Sequence, residues 1–392
     1  MSLIKFYYNK SLTYAIIYWV LELITRYLMY SHFELFTFVN NYAVNEYIYL
    51  LLLNLSDLLS GFLVLYIQLS ISGNNNNINN TFYKTKSFFY AIILICLLDY
   101  ISRSVFYIFY LTNNEAGNDD VSHKFQKDFV NNLDILMRYI FSIIILKNKI
   151  FKHHKFAIII ILISLPFMIP IDIFHIIFFN KEDLYLTLIN IGIVSIKAFL
   201  FPLEDTIVKI VYLNYYILPE YMMLVRGLGE FLIILITTPI LYFSLGIEDI
   251  KFNFDSYKIL ILLFYTLSSF IKAYLILKVI YFFSAQSVSF FVISESIGLS
   301  VGQLIKNTNS DHPKSILLFI AEIIVILFTI FATLVYDEII VIQKCDLDKN
   351  IVNEITRRSI LETKSISILD EGDDNISDEE DEIEKDKKTK IK

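Results

Sequence analysis

Leu146-Lys147-Asn148-Lys149-Ile150-Phe151-Lys152-His153-His154-Lys155 is a short basic stretch between two apolar runs. The run before it, Leu136 to Leu146, is broken by Arg138; the run after it, Phe156 to Ile171, carries no charge. Lysines packed into so short a loop mark the cytosolic side of a membrane. The shortness of the loop makes its flanking helices antiparallel neighbours.

The same pattern recurs further along. Lys147, Asn148, His153 and Lys155 are echoed at the same offsets by Lys306, Asn307, His312 and Lys314, and Ser315 to Phe328 is again largely apolar. Two readings stand side by side. Lys and Asn are common in this chain, so chance suffices. Alternatively, the chain has two structural halves of about five helices each, as transporters often do.

Composition sets the class. The 392 residues are 56% hydrophobic and 16% aromatic, with mean hydropathy +0.58, which is beyond ordinary soluble domains. Apolar segments with room for the ~20 residues of a span fall at 12–31, 47–72, 87–111, 129–147, 156–174, 184–204, 221–245, 257–281, 284–305 and 315–336. The fold expected is an all-α integral membrane protein of ten transmembrane helices.

Lys and Arg distribute unevenly about these spans. Counted near helix ends, fourteen fall on the side of the N-terminus and seven on the other, which predicts cytosolic termini. Residues 1–11 form the cytosolic N-terminus, 12–180 and 181–337 the two halves, and 338–392 an acidic tail. The net charge of −7 comes largely from that tail, so it argues for no nucleic-acid partner. Residues 370–392 hold too little apolar surface to fold. The sequon at Asn79 falls on the cytosolic side and should carry no glycan.

Ten helices in two halves with both ends cytosolic resemble the drug/metabolite transporter superfamily. Within it the chain is most similar to the nucleotide-sugar and triose-phosphate transporter-like branch. The residues carrying the likeness are Arg138-Tyr139-Ile140-Phe141-Ser142-Ile143-Ile144-Ile145-Leu146-Lys147 and Phe201-Pro202-Leu203-Glu204-Asp205, followed by Tyr221 to Glu230 with Arg226-Gly227. The family's fourth helix often ends in Leu-Lys-Glu; here Asn148 replaces the acid. The resemblance implies an inverted repeat around a central cavity.

Charges inside apolar runs are the functional signal, because each costs several kcal/mol in lipid unless it meets a partner or a wet cavity. Glu22/Arg26, Asp99/Arg103 and Asp134/Arg138 each place an acid four residues before an arginine, on one helix face. Each pair could simply neutralise itself. Lys197, Arg226, Glu230, Lys272, Glu295 and Glu322 lie in or near later runs. Lys272 has no acid within four residues, so its partner must come from another helix (Glu295 or Glu322) or from a bound anion.

The segment 284–305 is rich in Ser and Gly. Gly298 and Gly302 make a Gly-x-x-x-Gly spacing, suited to close helix packing or to a homodimer seam. His175 follows Asp172 by three, which is half a metal site, so neither metal nor cofactor is expected. No nucleophile–base constellation or phosphate-binding Gly loop points to an enzyme.

These readings predict a secondary transporter moving a small polar, anionic solute, phosphorylated or nucleotide-linked, by alternating access. Lys272, Arg103 and Arg138 would hold the anion. Glu22, Asp99 and Glu295 would balance charge or carry a coupled proton, in a cavity lined by the first, third, fourth, eighth and ninth spans. The bilayer would be an endomembrane of Golgi or ER type, or the plasma membrane. The alternative is a non-transporting scaffold or receptor whose acidic cytosolic tail recruits partners.

Overall fold

The computed structural model describes residues 4–6, 10–31, 51–52, 54–59, 61–63, 66, 70, 86–112, 122–175, 184–245, 256–308, 316–343 and 347. Almost all of them are helical. The helices are α1 (Lys10–Ser31), α2 (the helical residues between 51 and 70), α3 (Lys86–Thr112), α4 (Ser122–Ile144) and α5 (Lys152–His175). They continue with α6 (Leu184–Tyr215), α7 (Pro219–Leu245), α8 (Ser256–Phe282), α9 (Ser289–Thr308) and α10 (Ile316–Tyr336). Among the described residues, three helical segments are long and apolar enough to cross a membrane: Lys86–Ser104, Pro219–Pro239 and Leu263–Phe282. Leu12–Thr25 and Ile323–Tyr336 are apolar but shorter.

The surface fits that reading. Phe89, Tyr90, Leu235, Ile236, Leu263 and Leu267 are all more than half exposed, on the three segments long enough to span. In water such a belt would be a liability; against acyl chains it is the natural exterior. Inside, one apolar cluster gathers Tyr18, Ile95, Val208, Met223, Leu277 and Phe291, and a second gathers Ile135, Tyr139, Ile161, Val292 and Ala332.

Helix α6 runs past the boundary expected near residue 204, to Tyr215. Pro202-Leu203-Glu204-Asp205 reads as a stop, yet Pro202 is buried within the helix and Thr206 Oγ1 donates to its carbonyl at 2.7 Å. The two acids meet arginines of other helices, so charge does not end the helix here. Helix α4 likewise starts at Ser122 rather than near 129. The segment 284–305 opens with a 3-10 turn, Gln286–Val288, before α9.

Two chain segments expected to be plain termini form a ribbon. Strand β1 (Ile4–Phe6) pairs antiparallel with β2 (Ile340–Ile342), Lys5 opposite Val341. Other connections gather at the same end of the bundle. Ser87 Oγ and Tyr215 Oη lie 2.7 Å apart. Lys209 Nζ donates to the carbonyls of Ile280, Tyr281 and Phe283 at 2.8, 3.1 and 3.1 Å, satisfying the last turn of α8 with a cation. Gln286 Nε2 donates to Ser142 Oγ and to Tyr336 Oη. The chain thus returns to one face after α4, α6, α8 and α10.

The basic stretch 146–155 is described, and Lys147 adopts φ 55° just past α4. Its echo reaches into 309–315, outside the described residues.

Candidate functional site

Six ionisable side chains from four helices meet where α2, α3 and α7 cross. Glycines permit the crossing. A Cβ on Gly61 would lie 2.5 Å from Leu224 Cα, and one on Gly227 would lie 2.6 Å from Leu58 N. A Cβ on Gly229 would collide with the Cys96 sulfur. Only residues without a side chain allow α7 so near to α2 and α3.

Around these contacts, Arg103 Nε reaches Asp99 Oδ1 at 2.8 Å, Nη2 reaches Asp57 Oδ2 at 2.9 Å and Nη1 reaches Asn54 Oδ1 at 3.0 Å. Arg226 Nη2 reaches the same Asp57 oxygen at 3.1 Å, its Nη1 reaches Glu204 Oε1 at 3.3 Å and its Nε reaches Glu230 Oε1 at 3.3 Å. Glu230 Oε2 lies 3.8 Å from Arg103 Nη1, so this carboxylate sits between both guanidiniums. Oxygens of Asp57, Asp99 and Glu230 fall within 4.8 Å of one another. All but the partly exposed Arg103 are buried.

A second group adjoins the first through α6. Arg138 Nε lies 2.9 Å from Asp134 Oδ1, and its Nη1 bonds Asp205, the residue next to Glu204. Across both groups six carboxylates face three guanidiniums, counting only described residues. A surplus of acid in so dry a place suits a bound proton or cation.

Lys272 belongs to a third grouping. Its Nζ lies 2.8 Å from Glu22 Oε2, on α1, and 5.9 Å from the Tyr18 ring centre. Tyr18 Oη in turn donates to Glu295 Oε1 at 2.8 Å, and Thr25 Oγ1 lies 2.9 Å from Ser268 Oγ. The partner expected for Lys272 was a bound anion or, on another helix, Glu295 or Glu322; the helix partner in the structure is Glu22. Helix α1 packs on both α8 and α9, so it brings Glu22 to Lys272 and Tyr18 to Glu295. The side chains of Arg26 and Glu322 lie outside the described residues.

The three expected cations therefore divide. Arg103 and Asp99 sit together in the main network, Arg138 beside it, and Lys272 with Glu22 and Glu295 on α1, α8 and α9. Helices α2, α6 and α7 were absent from the expected lining and contribute most of the network. Arg226 and Glu230 were noted as charges in an apolar run and within the stretch that carries the family likeness, but were given no role in the site. Asp57 and Asn54 were missed altogether, although Asp57 is a lone acid in an apolar span, the same signal that singled out Lys272. Of the glycine pair, Gly298 is buried in α9, and the surroundings of Gly302 are not described.

A separate set of histidines lies at the ribbon end. His153 is buried, with Nε2 3.3 Å from Glu338 Oε1, and its ring centre is 4.0 Å from that of His154. Burial, then the neighbouring His153, holds His154 down to about 4. Burial, then Glu338, pushes the Asp337 carboxyl up to about 7.

No known family matches the chain, and no curated protein matches it in sequence. One solved structure, described only as the crystal structure of a protein, aligns over 82% of this chain and 96% of its own. Its TM-score is 0.48 and its sequence identity 8%, too low to define a shared fold.

Proposed function

We propose that the chain is a secondary transporter of ten spans in two inverted five-helix halves, similar to the drug/metabolite transporters. It moves a small anionic solute across an endomembrane or the plasma membrane by alternating access, coupled to protons. The observation that carries this reading is the cluster of Asp57, Asp99 and Glu230 between Arg103 and Arg226. A helix bundle built only to be stable gains little from it. Ion pairs this deep roughly break even against apolar packing, while unmatched carboxylates cost several kcal/mol.

The packing supports two related halves. Shifting each helix number by five turns the α4–α6 contact into α9–α1, α3–α6 into α8–α1 and α4–α5 into α9–α10. It maps α5–α10 and α4–α9 onto themselves. At the α2–α7 crossing, Gly61 faces Leu224 while Gly227 faces Leu58, the reciprocal pair expected of a pseudo-two-fold axis.

In this reading a proton and the solute compete for the same cations. Protonating Glu22 releases Lys272 for an anionic group. Protonating a carboxylate of the network does the same for Arg103 or Arg138. Reconstitution into liposomes with an imposed pH gradient tests it, using a panel of phosphorylated and nucleotide-linked solutes. Saturable, gradient-dependent uptake of one of them is expected, lost in a folded Glu230→Gln variant. Folded, reconstituted protein that takes up none of the panel under either gradient favours the scaffold reading.

A further inference from the structure

We propose that His153, His154 and Glu338 bind a divalent transition-metal ion, zinc by ligand type, at the end of the bundle where β1 and β2 pair. The proposal stands independently of the transport reading. The two histidines stand out in the basic stretch, but their carboxylate partner was not legible, because Glu338 lies beyond the last helix while the histidines open α5.

Three observations converge. One ligand atom from each residue lies within 4.8 Å of the other two, and His153 Nε2 is already 3.3 Å from Glu338 Oε1. Tetrahedral zinc with bonds of ~2.1 Å separates its ligands by about 3.4 Å, so small ring rotations close the set. His153 is 2% exposed, yet neither ring nitrogen makes a hydrogen bond. Buried imidazoles normally find a partner, and this one faces a carboxylate and a second imidazole.

The third observation is backbone. Glu338 sits at φ 59°, in the left-handed region. The Glu338 N–H reaches the Val335 carbonyl at 3.3 Å, and the Ile339 N–H reaches that of Leu334 at 3.0 Å. This is a Schellman ending to α10, whose left-handed position is usually glycine. A glutamate there accepts strain that glycine would avoid, and its side chain is delivered to His153. Strain of that kind gathers at binding sites.

Two histidines and one carboxylate leave a fourth position for water. The long 3.3 Å bond from Phe151 N–H to His154 Nδ1 is the interaction that a metal on that nitrogen would displace. Occupied, the site would tie the first turn of α5 to the end of α10 and, through β2, to the N-terminal strand.

The test uses the full chain in detergent, without a purification tag and after chelator treatment. Cobalt(II) titration followed by visible absorption should report one ion per chain in a four-coordinate site. Zinc should displace it and raise Tm. Glu338→Gly removes the ligand while relieving the backbone. Its metal-free Tm should match or exceed that of the parent, with binding weaker by at least about tenfold. His153→Gln should lose binding as well, while His175→Gln should keep it. Absence of cobalt binding in the parent chain overturns the proposal. So does a site that keeps its affinity in Glu338→Gly or loses it in His175→Gln.

Discussion

Lys272 shows how far a single residue can be read. Its isolation in an apolar run called for a partner on another helix or a bound anion, and the structure places Glu22 at 2.8 Å. Which helix supplies it was not legible, because that depends on how α1 lies across α8 and α9. Lys272→Met keeps the stem and strands the Glu22 carboxylate. Breaking a buried pair from one side costs about 3–5 kcal/mol, so the variant should melt well below the parent in detergent. Adding Glu22→Gln should recover most of that loss. If the single variant melts with the parent, the pair is not a structural one. Asp57 makes the converse point. It carried the same signal as Lys272 and was overlooked, although it bonds both Arg103 and Arg226.

Elements were largely legible because their periodicity and length are local. The starts and ends expected for the first, third, fifth, seventh, eighth and tenth helices fall within a few residues of those observed. The errors have one cause. Charge inside a helix was read as a boundary, at residues 122–128 and 204–215, although both helices run through it; at Glu204 and Asp205 arginines of other helices neutralise it. The ribbon of β1 and β2 was invisible because three-residue strands carry no periodicity. Glycines also need the third dimension: Gly298 and Gly302 drew notice by spacing, while Gly61 and Gly227 hold the closest crossing. Gly227→Ala would push a methyl to 2.6 Å from the Leu58 backbone and should cost about 1–3 kcal/mol. Gly192→Ala, with nothing within 4 Å of the added Cβ, should instead gain up to about 1 kcal/mol from helix propensity. Thermal melts of the two variants side by side separate a tight crossing from a general dislike of substitution. Equal shifts would dismiss the crossing.

The whole molecule is a helical bundle with an apolar exterior, a charged interior and connections that return to one face. Its class was legible from composition; its centre was not, because six acids and three arginines are scattered along the sequence and only packing brings them together. The central claim is that this network is a moving part rather than a staple between helices. Spin labels at Lys149, between α4 and α5, and at the exposed Leu213, near the end of α6, sample the two halves at the ribbon end; Cys96 and Cys345 are first replaced by alanine. Pulsed dipolar distance measurement in liposomes should resolve two populations, and their ratio should shift between pH 5 and pH 8. Replacing Glu230 by Gln should freeze that ratio across the same range. One narrow distance, unchanged by pH and by the substitution, would contradict alternating access and leave the network a static core.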